Sequence, residues 1–280
     1  MKPLKLILLF AICTVIFNCS SSDLDDNNGL TQQQFTGDFF PLNMGNTWDY
    51  DVQNTDNDTN QTVTSTDFIE VESQTNTGFT LSVNQNGIPN GIMSGILTSG
   101  ALTRTETTLI SNGTVELPID GFDLQIELEN ALLYNTQAAN GELLSTQSGV
   151  FTQDFEEYPI TINYTLTSTQ LANLDTLTVN NTTYNTITSA NISLTLSVTT
   201  EVTFGITQTI PILDDTTPVL SVNSYYAEDI GLVKAEATSG YTLNANTVSI
   251  LEGIGVDLSQ LPTSLSVLNN QTLISYSVTQ

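Results

Sequence analysis

The chain contains no histidine, and that absence closes most hydrolytic chemistry. Ser-His-Asp and Cys-His arrangements need an imidazole as base, and a zinc site here would have to be built from carboxylates. Carboxylates are abundant, with 30 Asp and Glu against 4 Lys and Arg. Glycoside hydrolysis needs only two of them at a set separation. Glu156-Glu157 and Asp214-Asp215 are neighbouring acids, but nothing distinguishes either from the many accidental pairs that thirty acids create, and solvated acidic loops account for both. The expectation is therefore no enzyme, no catalytic residue and no cofactor. Calcium is the metal that suits an oxygen-rich acidic chain. Asp56, Asp58 and Asn60 have the 1-3-5 spacing of a calcium loop, with Gln61 where Gly is expected and Asp67 where the closing Glu is expected. The series Asp23, Asp25, Asn27 is out of register with Gly29. Neither makes a metal site on spacing alone.

One further side chain carries chemistry, and it stands behind an apolar run. Lys2 and Lys5 precede the stretch Leu6 to Ile16, and Asn18 leads into Cys19, three Ser and the acidic series Asp23, Asp25, Asp26. A basic start, a short apolar run and a polar flank make a secretory signal. Eleven apolar residues fall well short of the roughly 20 that cross a bilayer. Ile16-Phe17-Asn18-Cys19 resembles the lipobox of bacterial lipoproteins, although Asn18 stands where that family usually has Gly, Ala or Ser. The resemblance implies that Cys19 becomes the lipidated first residue of the mature chain. Cys13 lies inside the apolar run, so removing residues 1–18 leaves Cys19 alone and no intramolecular disulfide can form. Several acyl chains on one residue anchor far better than one.

Cys-Ser-Ser-Ser-Asp-Leu-Asp-Asp looks like the Ser- and acid-rich signal that, in some Gram-negative lineages, sends lipoproteins to the outer face of the outer membrane. A flexible acidic tether is the other reading of the same residues. The organisation expected is a lipoprotein signal peptide at 1–18, an acidic polar tether at 19–36 and one β-rich domain at 37–280. The localisation expected is the outer membrane, through the N-terminal lipid, with exposure at the cell surface.

The charge agrees with export. The net charge of −26 over 280 residues excludes phosphate neutralisation, so no nucleic acid is expected as a partner. Charged residues are only 12% while apolar types reach 39%, enough for a core and not the balance of a disordered chain. Loss of residues 1–18 removes Lys2 and Lys5 and no acid, which takes the net charge to −28 and leaves Arg104 and Lys234 as the basic residues. Such a body is soluble and is repelled by anionic membrane.

The elements that hold the rest in place read as strands. Leu124, Ile126 and Leu128 alternate with Gln125 and Glu127. Ile160, Ile162, Tyr164 and Leu166 alternate with Thr and Asn, and Ile192, Leu194, Leu196 and Val198 with Ser and Thr. Period-2 patterning with Thr, Val, Ile and aromatic enrichment gives antiparallel strands, apolar on one face and wet on the other. Asn86-Gly87, Asn90-Gly91, Asn112-Gly113, Asn140-Gly141 and Asn180-Asn181 supply turn residues that tolerate positive φ, so hairpins are expected there. Ser168 to Leu174 could make one or two helical turns, and Gly253, Gly255 and Pro262 argue for a loop from Leu251 to Leu265. No repeat of fixed period is present.

Three segments resemble a family. Phe39 to Tyr50, FFPLNMGNTWDY, looks like the opening of many uncharacterised Gram-negative outer-membrane and surface lipoproteins. Leu177 to Tyr184 is similar to their middle hairpin, with Asn181 at their usual Gly, and Tyr225 to Lys234, YYAEDIGLVK, resembles their closing strand. The resemblance implies an all-β fold, a strongly curved antiparallel sheet forming a half-barrel or open barrel with at most one or two short helices. It is LolA-like by analogy, the shape also used by periplasmic lipoprotein and lipid carriers; fold alone does not set function. Asp175-Thr176-Leu177 and Asp215-Thr216-Thr217 are similar to an O-glycan acceptor motif of some of these bacteria.

Physical reasoning explains parts of these segments independently. Gly45-Asn46 turns the chain into a strand on which Trp48 and Tyr50 share a face, with Trp48 as a core anchor. Gly231 suits a bulge or a close backbone approach. Of Tyr225 and Tyr226, one packs and one faces out.

Two functions remain open. The first is a lipid-anchored, non-enzymatic binding protein that holds a hydrophobic or lipid-like ligand in a curved sheet. The second is a structural or adhesive surface lipoprotein whose Thr, Asn and Ser faces bind glycans or an envelope partner.

Overall fold

Side chains that alternate in sequence alternate between the two faces of a strand, and this period of two builds almost the whole molecule. The computed structural model describes residues 34–76, 78–119, 122–155, 158–203, 205–213, 218–253 and 262–279. The first half runs β1 (Thr47–Asp56), β2 (Gln61–Gln74), β3 (Phe79–Val83), α1 (Ile92–Thr98), β4 (Ala101–Arg104), β5 (Thr108–Asn112), β6 (Thr114–Ile119), β7 (Phe122–Glu127) and β8 (Ala131–Asn135). The second runs β9 (Leu143–Phe155), β10 (Tyr158–Gln170), β11 (Leu174–Val179), β12 (Thr182–Thr203) and β13 (Thr207–Leu213). It ends with β14 (Pro218–Ala227), β15 (Gly231–Thr242), α2 (Ala245–Gly253) and β16 (Ser264–Ser277). Among the described residues the fold is thus all-β, with two short helices.

One antiparallel sheet holds all strands but β6 and β7, which make their own hairpin. Its order is β8-β5-β4-β3-β2-β1-β16-β15-β14-β12-β10-β9. The long β12 also takes β11 beside its start and β13 beside its end. The last strand, β16, lies between β1 and β15, so the two halves of the chain close on each other. The sheet curls until its edges meet in a nearly closed barrel. No backbone ladder joins these edges; side chains do. Ser168 Oγ of β10 donates to Leu132 O of β8, and Asn135 N donates to Gln170 Oε1 at 2.9 Å. Gln147 of β9 mimics a peptide group, donating to Glu127 O at 2.8 Å and accepting from Glu129 N at 3.2 Å.

One end of the barrel is packed solid. Trp48, Tyr50 and Val52 of β1 are fully buried, alternating with Asp49, Asp51 and Gln53. The segment before β1 folds across this end and buries Phe35, Phe39, Phe40 and Leu42. Phe40 stacks on Trp48 with ring centres 4.9 Å apart and planes 9° from parallel, and Tyr226 meets Phe40 edge-on at 6.0 Å. Each such side chain contributes roughly 1.5–3 kcal/mol through burial. Two of the polar tips are satisfied: Trp48 Nε1 donates to Ile230 O at 2.6 Å, and Tyr50 OH to Leu232 O at 2.9 Å. Phe35, expected within the tether, stacks on Phe39 at 6.2 Å. Tyr226 is buried, and Tyr225 is half-buried on the outer face beside Glu236 and Lys234.

Gly231 is required twice over. Its φ of +113° belongs to glycine, and an added Cβ would stand 2.9 Å from Trp48 Nε1 and 3.0 Å from Phe40 Cδ2.

Several local expectations give way to tertiary structure. Of the five Asn-centred turns, only Asn180-Asn181 closes a two-residue hairpin, both residues having positive φ. Asn86-Gly87 leads from β3 toward α1, Asn90-Gly91 opens α1, Asn112-Gly113 joins β5 to β6, and Asn140-Gly141 lies between β8 and β9. Ser168 to Leu174 is no helix: β10 runs to Gln170 and β11 starts at Leu174, because Ser168 and Gln170 are held by the barrel edge. Leu251 to Gly253 ends α2 and Ser264 already belongs to β16, against the loop expected there, and residues 254–261 lie outside the described ones. The Leu251 side chain instead packs with Val202 and Ile210.

Candidate functional site

The other end of the barrel holds a helix that local sequence does not explain. Residues 92–98, IMSGILT, offer no capping side chain, and Gly95 sits mid-helix, where it costs up to about 1 kcal/mol relative to Ala. The first N–H groups of a helix must find partners outside it, and here they come from distant strands. Asp67 of β2 accepts from Asn90 N at 2.9 Å and Gly91 N at 2.8 Å. Asn269 and Gln271 of β16 accept from Ile92 N at 3.1 Å and Ser94 N at 3.2 Å. Met93, Ile96 and Leu97 are buried, and α1 touches β2 and β3 on one side and β14 and β15 on the other. These strands flank β1 and β16 in the sheet, so α1 lies in its concavity.

Asp67 is 1% exposed. Burial alone would raise its carboxyl, but hydrogen bonds from Asn90, Asn84 and Gly91 outweigh that and hold it below the usual carboxylate range. The group is a structural anion, ionised at neutral pH.

Between α1 and the wall is a cavity of about 810 Å³. Its apolar lining includes Leu81 and Val83 of β3, Ile92 and Ile96 of α1, and Leu265 and Val267 of β16. Asn54, Asn90, Asn269, Ser239 and Thr98 interrupt that lining, and Glu116 of β6 joins it. It meets solvent beside Asn86, Gly87 and Ile88, all exposed. A space of this size falls in the range of small-molecule sites, roughly 300–1,000 Å³. A second groove, about 640 Å³, runs along Thr36, Gly37, Asp38, Arg104, Thr105 and Glu106. Its one cation is engaged already, since Arg104 pairs with Asp38 and donates to Phe40 O.

The residues singled out from the sequence scatter. Asp56 ends β1, and Asp58 and Asn60 follow in the turn to β2, where Asp56 Oδ1 accepts from Asp58 N at 2.8 Å and Thr59 N at 3.1 Å. Asp67 pairs with Tyr50, six positions up the ladder from Asp56-Gln61, or roughly 20 Å at about 3.4 Å per residue. A twelve-residue calcium loop is therefore not formed: the strand that separates its ends is the reason. No group of three or more Asp, Glu or Cys poised to hold a metal occurs among the described residues. Thr176 is exposed on β11. Cys19, the signal and nearly all of the tether, Glu156-Glu157, and Asp214-Asp215 with the second glycan motif lie outside the described residues.

Burial pushes the Tyr50 and Tyr134 hydroxyls well above their usual range, so neither is an ionised nucleophile at neutral pH. No described helix is long and apolar enough to cross a membrane.

The first and last of the three family-like segments meet at the packed end, through Phe40, Trp48, Tyr226 and Gly231, and no residue of the three lines the cavity. Compared with known proteins, the chain matches no family, no curated protein and no solved structure.

Proposed function

We propose that this is a lipid-anchored cell-envelope protein of non-enzymatic binding type, which holds a hydrophobic or lipid-like ligand in the cavity beside α1. One observation carries the reading. The barrel is filled with aromatic rings at one end, while at the other a space of about 810 Å³ with Leu, Ile and Val walls stays open beside a helix fastened by four long-range hydrogen bonds. Empty apolar surface is costly, and its persistence on a rigid frame is what a ligand site requires.

The anchor belongs to the same reading and rests on the signal and on Cys19. In this reading the lipid on Cys19 holds the protein at the outer membrane, with its body at the cell surface.

Lipid extraction and mass spectrometry of protein purified from its own envelope tests the ligand. A stoichiometric apolar molecule that is lost in Val267→Trp supports the reading. Protein without any such molecule, which also fails to take up an apolar dye, removes it. Radiolabelled palmitate incorporation that disappears in Cys19→Ala, and protease shaving of whole cells, test the anchor and its orientation.

A further inference from the structure

The polar groups around the cavity have a definite sense. A backbone N–H can only donate, so the Asn269 atom facing Ile92 N at 3.1 Å is its Oδ1. Its Nδ2 is then a donor, and it reaches Asn90 O at 3.1 Å and Asn54 Oδ1 at 2.6 Å. That fixes Asn54 in turn: its carbonyl is engaged, and the N–H groups of its Nδ2 remain to meet an occupant of the cavity it lines. The relay runs from helix backbone to Asn269 to Asn54, and leaves a hydrogen-bond donor on the cavity wall.

The charges are one-sided. Glu116 belongs to the lining, and Asp67 lies directly behind it, its Oδ2 2.8 Å from the N of Gly91, itself a lining residue. No cation offsets them. The chain has only four basic residues. Lys2 and Lys5 belong to the signal; Arg104 is paired with Asp38, and Lys234 Nζ with Glu236 Oε1 at 2.7 Å, and neither lines the cavity. An anionic head group brought there would lose hydration without gaining a counter-charge, and would face two carboxylates. The field of a body carrying −28 opposes its approach from solution as well.

We infer that the cavity selects an apolar chain ending in an uncharged carbonyl or hydroxyl, which accepts from Asn54 Nδ2, and rejects the same chain ending in carboxylate or phosphate. This rests on the binding role proposed above and adds the chemical class of the ligand to it. Acylglycerols, fatty alcohols and apolar amides fit; fatty acids and anionic phospholipids do not.

The test compares three probes of one chain length: 1-monolauroylglycerol, dodecanoate and dodecyl phosphate. Each displaces Nile red, below its aggregation concentration, from the full mature chain carrying Cys19→Ser, so that no acyl chains of its own compete. The expected result is displacement by the glyceride at concentrations lower by about tenfold or more than either anion, equivalent to about 1.4 kcal/mol. Asn54→Asp keeps an acceptor for Asn269 Nδ2 and removes the donor from the wall, and is expected to weaken the glyceride about tenfold. Glu116 is exposed, and Glu116→Lys is expected to strengthen dodecanoate about tenfold. Equal displacement by the glyceride and dodecanoate overturns the selectivity while the cavity reading stands. Displacement by none of the three, or no dye uptake, removes the cavity reading and the selectivity with it.

Discussion

Asp67 Oδ2 accepts the N–H of Gly91 at 2.8 Å, and this contact joins the wall of the barrel to the helix inside it. Gly91 leaves no room for anything else: an added Cβ would stand 2.3 Å from Gln271 Oε1 and 3.2 Å from Asp67 Oδ2. The bond takes the place of the N-cap that the helix lacks, with the carboxylate supplied from 24 residues earlier.

Asp67→Asn is therefore expected to lower stability at pH 7 by about 1–3 kcal/mol, because an amide turns a donor toward N–H groups that need an acceptor. The pH dependence has a definite sign. The carboxyl is held below its ordinary value, so its stabilisation is complete above the unfolded value near about 4 and is lost as pH falls through the folded one. Urea midpoints of both proteins at pH 7 and pH 3 check this. The gap between them shrinks in acid; a gap that stays constant would show that the charge of Asp67 is immaterial.

Gly231→Ala is expected to be among the most damaging small changes in the chain. The left-handed backbone costs about 1–2 kcal/mol for a residue with a Cβ. The clash with Trp48 and Phe40 adds about 1–3 kcal/mol of overpacking. Trp48 is the single tryptophan and is fully buried, so its emission reports the same site. A red-shifted spectrum and a lower melting temperature are expected; wild-type values for both would mean that the Phe40-Trp48 stack tolerates displacement.

The features legible in sequence are those set by neighbours along the chain. Ile160 to Leu166 and Ile192 to Val198 advertise strands because one face must be wet and the other dry. Asn180-Asn181 marks its hairpin because both residues tolerate positive φ. Trp48 and Tyr50 share a buried face because they are two apart. What escapes is whatever depends on partners far away. Helix α1 is seven residues long with Gly95 inside it, and a local reading sees Asn90-Gly91 as a turn. The acceptors that make it a helix lie on β2 and β16, up to 177 residues distant. The cavity escapes for the same reason, since its lining comes from several elements and no two adjacent residues announce it. Asp67 looked like the end of a calcium loop, and only strand register reveals that it points at α1 instead.

Filling the cavity without touching the helix caps separates binding from folding. Gly95 lines it, and an added Cβ there would meet only Pro89 Cγ, at 3.5 Å, so Gly95→Ala has room. Replacing glycine in a helix stabilises by up to about 1 kcal/mol. Gly95→Ala is expected to raise the melting temperature slightly and to retain Nile red, whereas Val267→Trp is expected to lose the dye at near-normal stability. Dye retention in Val267→Trp would place the apolar site elsewhere.

The barrel's closure offers the last test. Every other junction along the main sheet path is a backbone ladder, while β8 meets β10 through Ser168 and Gln170, and Gln147 of β9 holds Glu127 and Glu129 just before β8. Gln170 is fully buried; besides accepting from Asn135 N, it donates to Thr188 Oγ1 at 3.1 Å. Truncation to Ala orphans the Asn135 donor and leaves a void, a local cost of about 2 kcal/mol or more. If the seam is a separate opening unit, hydrogen exchange in β8 speeds up by roughly 30-fold for about 2 kcal/mol. The β1–β16 ladder keeps its protection, because it is a continuous main-chain ladder five junctions away in the sheet order. Faster exchange spread evenly over both would mean that the seam opens only when the whole sheet does. An opened seam also exposes the unpaired edges of β8 and β9, so concentration-dependent association of Gln170→Ala by light scattering is the expected companion effect.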